Sequence, residues 1–428
     1  MRQITLYALV LMSFTAKAQP RTDSFLLQIL QKNKQPLFQE VIAHPEKYRY
    51  QLIYTQIDRN KQNILAFTNF FLNLDSLAYF NPASTVKLPL AILSLEKMQT
   101  LKKYGIDKNT AMQFDSAYPA QKVLYRDSSA ENKYPSIAQF IKKAFLVSDN
   151  DAYNRMYEFV GQQTINRRLH EMGHTDLRIT RQFQRMTAEE NRHTNPIRFI
   201  KPDQSLIYFQ PPAYNPDPFD LSHINKMGEA YYDANDSLVH APIDFTAANN
   251  MTLVHLQQIL QAILFPQSFP AGKRFRLAQS DYDFLYRYLS QYPSETAFPK
   301  YDTLQYYDSY VKFFFRDSTH RMPANIRVFN KVGWAYGCLT DVSYVADFEH
   351  HIEYMLTATI YVNSDGVLND DKYDYETIGW PFLYQLGQTI YQYELNRPRK
   401  ITPDLSQFRL GYEKRKEDGR PALKAVDN

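Results

Sequence analysis

Asn81-Pro82-Ala83-Ser84-Thr85-Val86-Lys87-Leu88-Pro89-Leu90 is the stretch from which the rest of the chain can be read. Leu88, Leu90, Ala91, Leu93, Leu95 and Met98 recur at helical spacing, which predicts a helix over 85–103 with Ser84 at its start. Residues three apart on a helix share a face. The Lys87 amine can therefore reach the Ser84 hydroxyl and take its proton, provided burial lowers the amine's pKa. Free N–H groups at the helix start could also stabilise an oxyanion. The Ser-x-x-Lys pattern alone is weak, because Ser94-Leu95-Glu96-Lys97 matches it in mid-helix and Ser84 could be only a cap.

Two more motifs follow in order. Ser148-Asp149-Asn150 occurs once, directly after an apolar helix predicted over 136–146. Lys331-Val332-Gly333 ends a strand predicted over 326–331, and a second strand returns over 341–347. Lys103-Tyr104-Gly105 and Lys226-Met227-Gly228 share the last pattern but lack strands on both sides. Outside the motifs, strands are predicted over 48–57, 64–71 and 352–362. Helices are predicted over 23–31, 152–160, 162–172, 249–264, 279–292 and 377–395. Strands at both ends with helices between them fit a mixed α/β (α+β) class, in which both chain ends build one antiparallel sheet around an inserted all-helical subdomain.

With its three motifs in this order, the chain resembles the class A β-lactamases and the wider penicillin-recognising serine hydrolases. The resemblance runs over roughly 48–395 and implies the β-lactamase/transpeptidase-like fold with flanking helices. It implies that Ser84 attacks a carbonyl, Lys87 helps deprotonate it, and Ser148 relays a proton to the leaving nitrogen. Asn150 would bond the substrate amide, and Asp149 would brace the loop. Lys331 would face the substrate carboxylate, while the N–H groups of Ser84 and of Trp334, next to Gly333, would form the oxyanion hole. No cofactor and no metal are implied. The partner is a small molecule, a β-lactam or a peptidoglycan stem peptide.

Two positions depart from the family pattern. Val332 stands where a hydroxyl residue is usual, which removes one hydrogen bond to the carboxylate. The loop Glu189-Glu190-Asn191-Arg192-His193-Thr194-Asn195-Pro196 carries Glu190 one residue out of register with the hydrolytic glutamate, because Asn191 falls at the matching position. Glu190 is still the first candidate to activate the deacylating water, with Glu189 second. The same site with slow deacylation would be a penicillin-binding D-Ala peptidase.

Composition narrows the other classes. Lys and Arg total 49 against 45 Asp and Glu, so no basic footprint for nucleic acid is present. A short basic start, an apolar run over 4–14 and Ala16-Lys17-Ala18 read as a signal peptide over 1–18, which predicts a periplasmic or secreted protein with no later membrane segment. Cys338 is the single cysteine, so no internal disulfide can form. The catalytic domain is expected over 19–396, with insertions near 201–241 and 292–323, and a charged, mobile tail over 397–428. His170-Glu171-Met172-Gly173-His174 matches a zinc-peptidase motif, but Gly173 reads as a helix end that would misplace His174. A non-catalytic peptidoglycan-binding protein that uses the Tyr-rich insertions is the remaining alternative.

Overall fold

The computed structural model describes residues 21–415 and 419–424. The expected signal peptide lies outside the described residues. Two helices, α1 (Ser24–Leu30) and α2 (Pro36–Ala43), lead into strands β1 (Gln51–Arg59) and β2 (Leu65–Leu72). After a 3-10 turn over Ala83–Val86 come α3 (Lys87–Leu101), strand β3 (Ala111–Phe114), α4 (Ile137–Leu146), α5 (Asn150–Val160) and α6 (Gln162–Glu171). Strands β4 (Ile197–Ile200) and β5 (Leu206–Gln210) precede α7 (Leu253–Leu264) and α8 (Gln279–Ser290). The chain closes with β6 (Ile326–Ala335), β7 (Cys338–Asp347), β8 (Ile352–Tyr361) and α9 (Trp380–Asn396).

Both chain ends do build one sheet. Its order is β6-β7-β8-β1-β2, and every pairing is antiparallel. Strand alternation sends successive side chains to opposite faces. Phe329, Val342 and Met355 pack with the α3 and α7 side, whereas Val328, Val345 and Leu356 pack with α1, α2 and α9. Helices on both faces explain why β7 is buried along its whole length instead of alternating with solvent. β6 is left as an edge strand, and the turn that carries Ser84 lies against it.

Three expectations need correction. The inserted region is not helical throughout, because β3, β4 and β5 form a three-stranded sheet within it. The 292–323 insertion is core in its second half: Phe313, Phe314 and Phe315 are buried under α9, where a Cβ on Gly387 would sit 2.3 Å from the Phe314 carbonyl oxygen. The 397–428 segment is docked where it is described. Phe408 is fully buried, with its ring 4.7 Å from Tyr344 and 5.2 Å from Phe329, and Glu413 accepts from Lys142 at 2.9 Å.

Candidate active site

Why Ser84 is presented to a cleft follows from the turn that holds it. Asn81 Oδ1 accepts the Ala83 N–H at 2.9 Å, and Ala83 takes the left-handed region at φ 43° before the chain enters the helix. Ser84 therefore sits in a 3-10 turn one step before α3, half-buried, with Lys87 at the first position of the helix proper. Lys87 is fully buried, and its Nζ donates to Ser84 Oγ at 2.8 Å and to Asn150 Oδ1 at 2.7 Å. It also donates to the Ser148 carbonyl and lies 3.3 Å from Ser148 Oγ. Burial holds the Lys87 pKa well below the usual lysine range; the nearby Lys331 adds to this and Asp149 opposes it. A neutral amine with a lone pair facing a serine hydroxyl can act as a general base.

Ser148 and Asn150 are set by the start of α5. Asp149 caps that helix, its carboxylate accepting the Ala152 N–H at 2.8 Å and lying 3.4 Å from the Lys143 amine. Ser148 is forced to φ 64°, a left-handed conformation that costs a non-glycine residue energy and turns its hydroxyl between the two lysines. Lys331 Nζ donates to Ser148 Oγ at 3.0 Å and to the Val332 carbonyl at 2.7 Å. Its pKa falls to about 7, with burial the main cause and Lys312 adding to it, while Asp341 pulls the other way. A continuous chain of donors and acceptors thus runs from Ser84 through Lys87 and Ser148 to Lys331.

Gly333 is what lets β6 approach. A Cβ at this position would lie 2.7 Å from the Pro82 carbonyl oxygen and 2.9 Å from both the Ser84 and Thr85 nitrogens. The strand edge therefore runs directly against the turn of the serine. Trp334 borders the same cleft, with its ring edge-on to Tyr310 at 6.0 Å and tilted over Phe313 at 5.8 Å. Val332 points the other way, into the cluster that contains Phe313 and Phe382, and offers the cleft nothing.

The cleft measures about 910 Å³, and the loop from Arg181 to Glu190 forms its opposite wall. Glu190 is on that wall, but its carboxylate is tied to the Thr187 N–H at 2.6 Å, while its own N–H donates to Thr187 Oγ1 at 3.2 Å. Glu189 is exposed and pairs with His193 at 3.2 Å. Asn191 is a buried clamp that accepts the Gln182 N–H at 2.7 Å and donates to the Thr187 carbonyl at 2.8 Å. Phe183, which sequence reasoning missed, lies 5.2 Å from Lys87 Nζ and covers it; no local motif marks it.

The His170–His174 motif has no metal geometry. α6 ends at Glu171, with the Gly173 N–H on the His170 carbonyl and the His174 N–H on the Leu169 carbonyl, a Schellman closure with Gly173 at φ 103°. His170 Nε2 bonds to the Leu177 carbonyl at 2.7 Å, whereas His174 stands edge-on to His255. Among the described residues no helix is long and apolar enough to cross a membrane.

Residues 38–206 match the model of the β-lactamase enzyme family, a segment that contains Ser84, Lys87, Ser148, Asn150 and Glu190 but stops short of Lys331. Among solved structures, the chain is similar to a class A β-lactamase from Clostridium kluyveri DSM 555, at 13% identity and a TM-score of 0.45 over 86% of this chain and 98% of that one. It is also similar to a β-lactamase from Sphaerobacter thermophilus DSM 20745, at 12% identity and a TM-score of 0.44 over 85% of this chain and 98% of that one. No curated protein sequence matches it.

Proposed function

We propose that this chain, β-lactamase-like across the segment that holds its serine and lysine, is a serine hydrolase that forms an acyl-enzyme on Ser84 with β-lactams or related cell-wall peptides. One observation carries the reading: a fully buried Lys87, with its pKa held low, has its Nζ within hydrogen-bond reach of Ser84 Oγ, at 2.8 Å. In its neutral form Lys87 takes the hydroxyl proton as Ser84 Oγ attacks the carbonyl carbon. The Ser84 N–H and the strand edge at Trp334 face the developing oxyanion. Ser148, hydrogen-bonded to Lys331, gives its proton to the leaving nitrogen and regains one from the protonated Lys87, whose Nζ lies 3.3 Å from Ser148 Oγ, and the charged form of Lys331 attracts a substrate carboxylate. Asn150 keeps its Nδ2 for the substrate because Oδ1 is already used by Lys87.

Water must then clear the ester. Glu190 is the candidate on the cleft wall, yet one carboxylate oxygen is committed to Thr187, so acylation is expected to outrun hydrolysis. Export to the periplasm or beyond is part of this reading and rests on the pattern of residues 1–18 alone.

Intact-mass spectrometry after brief exposure to a penicillin tests the assignment. One equivalent of adduct is expected, lost in Ser84→Ala and retained in Ser94→Ala, since Ser94 Oγ is buried and spent on the Leu90 carbonyl at 2.8 Å. An adduct that persists in Ser84→Ala overturns the reading.

A further inference from the structure

Behind the loop wall of the Ser84 cleft lies a second cavity of about 840 Å³, and Arg181, Arg185, Met186, Ala234 and Tyr336 line both. The 201–241 insertion builds its far side. Ala230–Tyr232 pairs with Leu238–Val239 and, in parallel, with Val367–Leu368, which sets Tyr231 and Tyr232 along it. The insertion thus extends the cleft instead of merely decorating the surface.

The shared wall carries spare positive charge, and the part that holds Arg181 is well supported. Three buried amides pin its backbone over 180–183: Asn249 Oδ1 accepts the Thr180 and Arg181 N–H groups at 2.8 and 3.2 Å, Asn191 Oδ1 accepts the Gln182 N–H at 2.7 Å, and Asn154 Oδ1 accepts the Phe183 N–H at 2.7 Å. The Tyr153 hydroxyl donates to the Arg181 carbonyl at 3.0 Å. The Arg181 and Arg185 guanidinium groups, the first half-buried and the second exposed, have no hydrogen-bond or ion-pair partner among the described residues.

Their neighbours are spent elsewhere. Arg192 donates to the Asn215 and Asp217 carbonyls at 2.7 and 2.9 Å, and Arg178 to the Asp220 and Thr246 carbonyls at 2.9 and 2.6 Å. The acidic side chains nearby are mostly committed to local N–H groups: Glu190 to Thr187 at 2.6 Å, Asp233 to Asn235 at 2.8 Å, and Asp244 to Thr246 at 2.8 Å. Asp236 is exposed at the hairpin tip. A guanidinium is the side chain best suited to bind a planar carboxylate through paired hydrogen bonds.

We propose that Arg181 and Arg185 form an anion subsite of the Ser84 cleft, so that the preferred acyl donor carries a second carboxylate besides the one that Lys331 would attract. The proposal rests on the acyl-serine reading of the cleft and deepens it.

Carbenicillin and benzylpenicillin form a matched pair that differs by one side-chain carboxylate. Their binding to the full chain carrying Ser84→Ala is measured by calorimetry, and their acylation of the unaltered protein by intact mass. Carbenicillin is expected to be favoured by about tenfold or more in both, the scale of one charged hydrogen-bonded contact. Arg181→Gln with Arg185→Gln should abolish that preference and leave benzylpenicillin binding intact, which also reports that the variant is folded. Equal binding of the two compounds, binding of neither, or a preference that survives the double substitution overturns the subsite. A carbenicillin preference in binding with no adduct on the unaltered protein overturns the acyl-serine reading and leaves the subsite standing.

Discussion

Lys87 and Lys331 lie on either side of Ser148 Oγ, yet the chemistry asks for opposite charge states. In the proposed reaction Lys87 works as the neutral amine, a form that burial favours by holding its pKa well below the ordinary lysine value, and protonation in acid removes it. Lys331 would serve the same reaction as the cation, and with a pKa of about 7 it loses charge as pH rises through neutrality. The acylation rate of the free protein is therefore expected to fall on both sides, with the alkaline limb near pH 7 and due to Lys331. Lys331→Gln should lower the rate and remove that limb; a limb that persists would belong to another group. Gly333 supports a second prediction. The Cβ of Gly333→Ala would lie 2.7 Å from the Pro82 carbonyl oxygen, forcing β6 and the serine turn apart. A shift on the order of 1 Å costs about a hundredfold in rate, so stopped-time intact mass should show acylation slowed by that order.

The elements were unevenly legible. The helix after Ser84 and the antiparallel run of β6 to β8 could be read because periodicity and turn residues agree over many residues, whereas the start of α5, predicted at 152, lies at Asn150 because Asp149 caps it. β6 and β7 extend beyond their predicted ends because Gly333 and the short turn after Ala335 interrupt the pattern, yet 332–335 is held by pairing with 338–341. β3, β4 and β5 escaped notice because four or five residues are too few for a period to show. The loop before Glu190 is the hardest case, since its shape comes from the distant amides of Asn154 and Asn249, which no local pattern reveals. Its chemistry can still be tested. Thr187 and Glu190 form a reciprocal pair like a capping box, and glutamine keeps the acceptor while removing the charge. Glu190→Gln is thus expected to leave the acylation rate unchanged and to lengthen the adduct's lifetime, as followed by mass over hours. Fast turnover in both Glu190→Gln and Glu189→Gln would mean that another group activates the water.

At the scale of the whole molecule, the final segment adds a second fastening between the helical region and the sheet, beside the direct packing of the helices. Its composition, charged and broken by prolines, reads as a solvated tail because the apolar residues that matter are few and isolated. Two of them, Leu405 and Phe408, are buried all the same. Phe408 sits among Phe265 and Tyr286 from the helical side, at 5.7 and 5.5 Å, and Phe329 and Tyr344 from the sheet, at 5.2 and 4.7 Å. Aromatic rings meeting at such distances contribute beyond the area they bury, and this ring touches both halves of the fold at once. Farther on, Tyr412 bonds to Ser290 at 2.9 Å, and Leu423 pairs with the 300–302 backbone. Phe408→Ala is therefore expected to destabilise the protein by about 3–5 kcal/mol, the usual cost of removing a buried phenylalanine ring. In urea this should appear as a lower midpoint with an unchanged slope, whereas a solvated tail would leave the midpoint where it was. Because Phe408 packs on β6 two residues before Lys331, at Phe329, a loosened variant should also acylate more slowly at temperatures where it is still folded. Phe408→Leu, which refills much of the space, should recover most of both losses.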